Sequence, residues 1–339
     1  MTVELGSLAA LEPALAADGF FDRDDVVANV YIGYRCSNEL RRSATPPPAE
    51  PCSLPAVAYS IDPPNRSLPH GGAYSVGSWR PSWSESEYGD AVDAVRAAIA
   101  EGDVYQVNLV QHLSAEFDGD PLGLARALLP LDPLEPRPLV GPGWAIVSAS
   151  PELLLSRRGS RISTSPINGT RPAGVPIESA KDAAEHVMIV DLERNDLSRV
   201  AVPGSVRWPE LLAERQLAGV THLVATVEAD LREDVTLTEL LEAVLPGGSV
   251  TGCPKIAALD LIAALEPVGR GASMGALGRI HPNGDLDLTL TIRTFAVAED
   301  TIHLWVGGGI VWDSEPAAEI EESWVKARPL LDALSVAAA

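Results

Sequence analysis

Cysteine is scarce. The 339-residue chain has three, Cys36, Cys52 and Cys253; an odd set with no C-x-x-C pair excludes an even disulfide framework and a zinc ribbon, and favours a reducing compartment. Long apolar runs are also missing. No stretch reaches the roughly 18 apolar residues of a membrane helix, and the opening "MTVELGSLAALEPALAADGF" has no basic segment before its apolar residues. No membrane partner and no secretory leader are expected, and the location expected is cytoplasmic. The third shortage is positive charge, with 25 Lys+Arg against 47 Asp+Glu and a net −22. Binding to a phosphate backbone needs basic patches that release counterions, so no nucleic-acid partner is expected. A small anionic ligand here requires a locally positive pocket or a bridging cation. There is no G-x-G-x-x-G, no βαβ alternation and no internal repeat, which leaves nucleotide binding without support.

What is present is enough apolar residue, 46%, for a large core. The first 80 or so residues are rich in loops, "ATPPPAEPC" and "SIDPPNRSLPHGG", with strand candidates "VVANVYIGY" and "AVAYSI" between them. "SESEYGDAVDAVRAAIAEGD" reads as a helix with Ser84 as N-cap and a stop at Gly102. "VYQVNLVQHLSAEF" alternates like a strand, and "GWAIVSASPELLLSRRGSRISTSP" reads as a strand, a Pro break and a hairpin turning at Arg158-Gly159. Three helices follow, in "SAKDAAEHVMIVDLERNDLSRV", "TLTELLEAVLPGG" and "PKIAALDLIAALEP". The last third returns to β, with a hairpin at Glu299-Asp300, before a final helix "EPAAEIEESWVKARPLLDAL". With no clean linker, one intertwined α+β unit is the expectation.

Several residues invite chemistry, each with a plain alternative. Leu286, Leu288, Leu290 and Ile292 alternate with Asp287, Thr289, Thr291 and Arg293, a strand pattern over Leu286 to Arg293. Arg293 is then either a bidentate carboxylate clamp or part of a solvated sheet face. Asp182 with Glu185, and Glu319 with Glu322, are spaced i, i+3 on helices; together they make an oxygen-only cation site suited to Mg²⁺, singly they are acidic surface. Gly247 to Gly252 has phosphate-loop spacing, but Cys253-Pro254 stands where Lys-Ser/Thr belongs, so that reading fails. What remains is a Gly-rich turn into a helix, either receiving a carboxylate on its N–H groups or purely structural. His186 and His222 read equally as packed histidines, and Cys253 reads as structural.

Taken in order, "GDVYQVNL", "SASPELLL", "PINGTRPAG", "AEHVMIVDLERNDLSRV", "GVTHLVATVEADL", "LPGGSVTGCPKIAALDLI", "DLTLTIRTF" and "VGGGIVWDSEPAAEIEESWVKA" resemble the chorismate-utilising enzymes, from about Ser84 to the C-terminus. The resemblance implies an α+β fold of two large antiparallel sheets packed as a sandwich with surrounding helices. It implies a chorismate-binding catalytic region over 84–339, with 1–83 a short N-terminal part adding strands and loops. By the same resemblance Glu185 and Glu322 are Mg²⁺ ligands, with Asp182 and Glu319 beside them directly or through water. Arg293 grips the enolpyruvyl carboxylate; Gln106, Gly169, Thr170, Thr251 and Gly307 line the substrate, and Lys326 reaches the metal-bound carboxylate. Glu152 corresponds to the acid that protonates the departing C4 hydroxyl, for which its pKa must be raised, and His222 to a histidine assisting proton handling near the ring.

Within the family, isochorismate and salicylate synthases carry a water-activating lysine where this chain has Gln106. An amide is no base, so amination is expected. The run Tyr105-Gln106-Val107-Asn108 is similar to aminodeoxychorismate synthase component I, where anthranilate synthases usually show Phe-Gln-Val-Val. The expected reaction is amination of chorismate to 4-amino-4-deoxychorismate with ammonia from a glutamine amidotransferase partner; the alternative is amination at C2, as by anthranilate synthase or aminodeoxyisochorismate synthase. Asn168 departs from both branches, which read Lys or Ala there, and an amide closes a covalent lysine route at this position. Ser273 stands where a Tyr is common. Those two departures also admit a catalytically impaired chorismate-binding protein.

Overall fold

A computed structural model describes residues 1–64, 67, 68, 70–172, 174, 180–217 and 220–337. Among these, ten strands form one antiparallel sheet. Its order is Thr2–Leu5, Val57–Asp62, Val27–Ile32, Ala276–Ile280, Leu286–Leu290, Leu153–Arg158, Arg161–Ser165, Val220–Asp230 and Ile167–Pro172, with Arg207–Leu217 also on Val220–Asp230. The two N-terminal strand candidates thus sit inside this sheet, Val27–Ile32 beside Ala276–Ile280 and Val57–Asp62 on its other edge. Eight strands make the second sheet, around the long pair Gln106–Gly119 and Thr301–Ile310. The fold is α+β with two antiparallel sheets, as expected.

The sheets share one core. Val30, Leu155 and Leu288 of the larger meet Val110, Ile146, Ala296 and Trp305 of the smaller. On the outer face of the smaller sheet, Leu113, Val147, Phe295 and Leu304 pack on Ala327, Leu330 and Leu334, which recur at helical spacing along Pro316–Ala337. Earlier turns of the same helix face carry Glu319 and Lys326, with Glu322 beside them, against Gly307 and Gly308 at the end of the Thr301–Ile310 strand. Glu85–Glu101 is the helix read from sequence: Ser84 Oγ accepts from Glu87 N–H while the Glu87 carboxylate accepts from Ser84 N–H, and Gly102 stops it at φ 85°. No described helix is long and apolar enough to cross a membrane.

Two expectations are corrected. The hairpin pairs Arg158 with Arg161, so its turn residues are Gly159 and Ser160, with Gly159 at φ 59°. More consequential, the strand expected over Leu286 to Arg293 ends at Leu290. Alternation continues in the sequence, but the backbone leaves the larger sheet, turns at Arg293 with φ 50°, and resumes as Thr294–Ala298 in the smaller. Ile292 consequently lines a cavity at the margin of the core that Leu286, Leu288 and Leu290 enter fully. The chain makes the same change of sheet between Trp144–Ser148 and Leu153–Arg158. The two crossing segments run side by side: Ala149 N–H donates to Arg293 O at 2.9 Å, and Leu290 N–H to Glu152 O at 3.0 Å. The Glu299-Asp300 hairpin is as read, both residues at positive φ (54° and 60°) as a type I′ turn requires.

Candidate active site

The crossing segments open onto a cavity of about 120 Å³ between the sheets. Glu152 comes from one crossing and Arg293 from the other, and both line it. Glu152 is 4% exposed. Burial pushes its carboxyl up to about 8; Glu193 adds to the rise, while a 2.7 Å hydrogen bond from Ser249 Oγ, the Arg293 charge and the Ile167 N–H oppose it. A buried, largely protonated acid at neutral pH results. Arg293, lowered by burial and held up by Glu152, lies 3.2 Å from His222 Nε2.

His222, 1% exposed, has its other ring nitrogen 2.6 Å from Gly169 O. Burial, with Arg293 and Lys326 adding, lowers it to about 4 against the opposing Gly169 carbonyl. The imidazole is therefore neutral; its partners assign the proton to Nδ1, donating to Gly169 O, and leave Nε2 to accept from Arg293. Gly169 itself sits at φ 63° in a bulge between Asn168 and Arg171, a backbone state open to glycine. Asn168 lines the cavity beside it.

One stripe of the Ala180–Ser198 helix carries Glu185, Ile189, Glu193 and Asp196, spaced as one helix face. Ile189 lines the cavity. Glu193 accepts from Gly248 N–H at 3.0 Å, and Asp196 from Lys255 at 2.6 Å. The Gly-rich turn does receive a carboxylate, then, but the protein's own. Thr251, expected at the substrate, is absent from the cavity lining; its hydroxyl donates to Gly247 O at 2.9 Å and fastens the turn.

Glu185 from one acidic pair, and Glu319 with Glu322 from the other, come to two adjacent glycines of the Thr301–Ile310 strand. A Cβ on Gly308 would lie 3.1 Å from Glu322, 3.3 Å from Lys326 and 3.6 Å from Glu319; one on Gly309 would strike Gln106 and come within 2.5 Å of Glu185. Bare backbone here is what lets these side chains approach. Gln106 donates to Glu185 at 2.6 Å, and Lys326 pairs with Glu322 at 2.8 Å while donating to Gly307 O at 2.8 Å. Among the described residues no group of three or more His, Cys, Asp and Glu is converged as a metal centre. The donor chemistry, carboxylate oxygens around a glycine cradle, nevertheless fits a hard divalent cation. The side chains of Thr170 and Asp182 lie outside the described residues.

His186 is fully buried and not in the lining. Ser273 is also buried, donating to Thr291 O at 3.2 Å, and its neighbour Met274 reaches the cavity instead. Sequence reasoning missed Ser249, Glu193, Trp305 and Asn108. Ser249 carried a signal as a hydroxyl of the Gly-rich turn, and Asn108 as the end of the Tyr105-Gln106-Val107-Asn108 run.

Comparison with known proteins gives concordant findings. The family model described as chorismate binding enzyme matches residues 29–332. Anthranilate synthase component 1 of Thermus thermophilus is 43% identical over 76% of this chain, and aminodeoxychorismate synthase component 1 of Klebsiella aerogenes is 40% identical over 76%. The chain spans only 58% and 60% of the length of those two relatives. The crystal structure of anthranilate synthase component I from Streptococcus pneumoniae superposes with a TM-score of 0.81 at 25% identity, covering 92% of this chain and 84% of that one.

Proposed function

The chain belongs to the chorismate binding enzyme family, and from that premise we propose that it is a component I synthase aminating chorismate at C4 to 4-amino-4-deoxychorismate. The observation that carries the reading is Glu152, a buried carboxyl raised to about 8 in one cavity with Arg293. Arg293 binds a substrate carboxylate. Glu152 gives its proton to the departing C4 hydroxyl, which leaves as water, and takes a proton back from the nitrogen that replaces it. Glu185 and Glu322 would hold Mg²⁺, with Asp182 and Glu319 beside it; bound there, the ion withdraws electrons from the ring carboxylate.

Two features favour direct amination. Gln106 offers no base for adding water and is engaged with Glu185. Asn168 supplies no amine nucleophile, and Lys326, which lines the cavity, is committed to Glu322 and Gly307 O. Ammonia is supplied by a glutamine amidotransferase partner. The choice of C4 over C2 rests on the Tyr105-Gln106-Val107-Asn108 run. Incubation with chorismate, Mg²⁺ and ammonium, followed by mass spectrometry and coupling to the lyase that makes p-aminobenzoate, tests it. p-Aminobenzoate is the expected product; anthranilate overturns C4 attack, and chorismate binding without turnover overturns catalysis altogether.

A further inference from the structure

Asn108 is 8% exposed and lines the cavity, yet its Oδ1 is buried with no hydrogen-bond partner among the described residues. Buried polar atoms in native proteins are nearly always paired, and one left over calls for a reason. The surroundings explain why no described group pairs with it. The Asn108 backbone is fixed on both sides, its N–H donating to Thr251 O at 2.8 Å and its carbonyl accepting from Arg270 at 2.7 Å. Side chains two apart on a strand share a face. On that face Asn108 has Gln106, already donating to Glu185, and Val110, which is apolar. Across the ladder its partner is Gly309, which has no side chain. The amide is held rigidly over bare backbone, looking into the cavity.

Resting on the reading above, we infer that Asn108 is a further substrate-contacting residue, its side-chain carbonyl accepting a hydrogen bond from an O–H or N–H group that the reactants bring. Two reactants carry such a donor, the ring hydroxyl of chorismate and the incoming ammonia. A residue kept for a ligand rather than for the fold has a signature: removing its polar group leaves the free protein no less stable while weakening the complex. Val suits a strand and removes the amide; Thr has the same shape with a hydroxyl restored.

The test measures three quantities on Asn108→Val and Asn108→Thr: Tm, the chorismate Kd by calorimetry without ammonia, and KM for ammonium. The expected result is a Tm unchanged or higher in Asn108→Val, roughly tenfold weaker binding of one reactant, and partial recovery in Asn108→Thr. A raised chorismate Kd identifies the ring hydroxyl as donor. An unchanged Kd with a raised ammonium KM identifies the nitrogen. Unchanged Kd and KM overturn the inference, as does a lowered Tm with equal losses in both variants, the mark of a structural role. Failure of the wild-type protein to bind chorismate overturns the functional reading instead, so the two failures stay distinct.

Discussion

Glu152 is where a single residue decides most. An acid raised to about 8 is competent below that pH and lost above it, so kcat/KM falls as pH rises through about 8, and Glu152→Gln removes turnover while leaving chorismate Kd within a few fold. A variant that keeps turnover rules out the acid role. The same shift affects stability. The folded state holds a proton on Glu152 that the unfolded chain, with its ordinary carboxylate, releases near 4.5, so this residue's contribution to stability is complete below 4.5 and is lost as pH rises toward 8. The Tm of Glu152→Gln should therefore gain on wild type across that window and run parallel above it. Glu152, Glu185, His222, Arg293 and Lys326, which line the cavity, were all named as site residues from motif resemblance. Asn108 was not, because alternation in "VYQVNLVQHL" reveals which residues share a face but not which face holds a ligand.

At the scale of elements, the strand end Gly307-Gly308-Gly309 and two helices compose the candidate cation site. Gly309→Ala puts a methyl against Gln106 and Glu185 with no backbone penalty of its own. It should raise the Mg²⁺ concentration needed for half-maximal activity about tenfold or more, with Tm little changed; an unaltered Mg²⁺ dependence argues against a cation there. Glu322→Gln should abolish Mg²⁺-dependent activity, and full activity refutes the assignment. The Gly-rich turn has its own keystone. Glu193→Leu leaves Gly248 N–H without its acceptor and should lower stability by about 1–3 kcal/mol; because Ser249 of that turn donates to Glu152, the alkaline limb of the pH profile should move as well. Helices were the most legible elements, since caps such as Ser84 with Glu87 are written locally. Arg207–Leu217 was not read as a strand: Trp208, Leu211 and Leu212 break the alternation, and Pro209 signals an edge.

For the whole molecule, burial of neutral histidines sets the acid limit. His112 is lowered to about 3 and His303 to about 4, each first by burial, and they meet at 3.0 Å between the long strands. His186 and His222 are lowered to about 4 in the same way. A depressed folded pKa gives stability that is present above about 6.5 and lost as pH falls through the folded values. Tm should decline below pH 6.5, and His112→Gln/His303→Gln should flatten that decline; an unchanged slope shows that other groups govern it. The architecture was legible as α+β with two sheets, but the sheet changes were not. A period of two persists through Ile292 even as the chain departs, because side-chain alternation carries no information about which neighbours a strand takes next.

Those paired crossings have a mechanical consequence. Ala149 with Arg293 and Glu152 with Leu290 are hydrogen-bonded rungs between the two segments that pass from one sheet to the other, so a displacement of one crossing is passed to the other and the acid and the arginine move together. Glu322 and Lys326, carried by a helix packed on the outer face of the smaller sheet, take no part in those rungs.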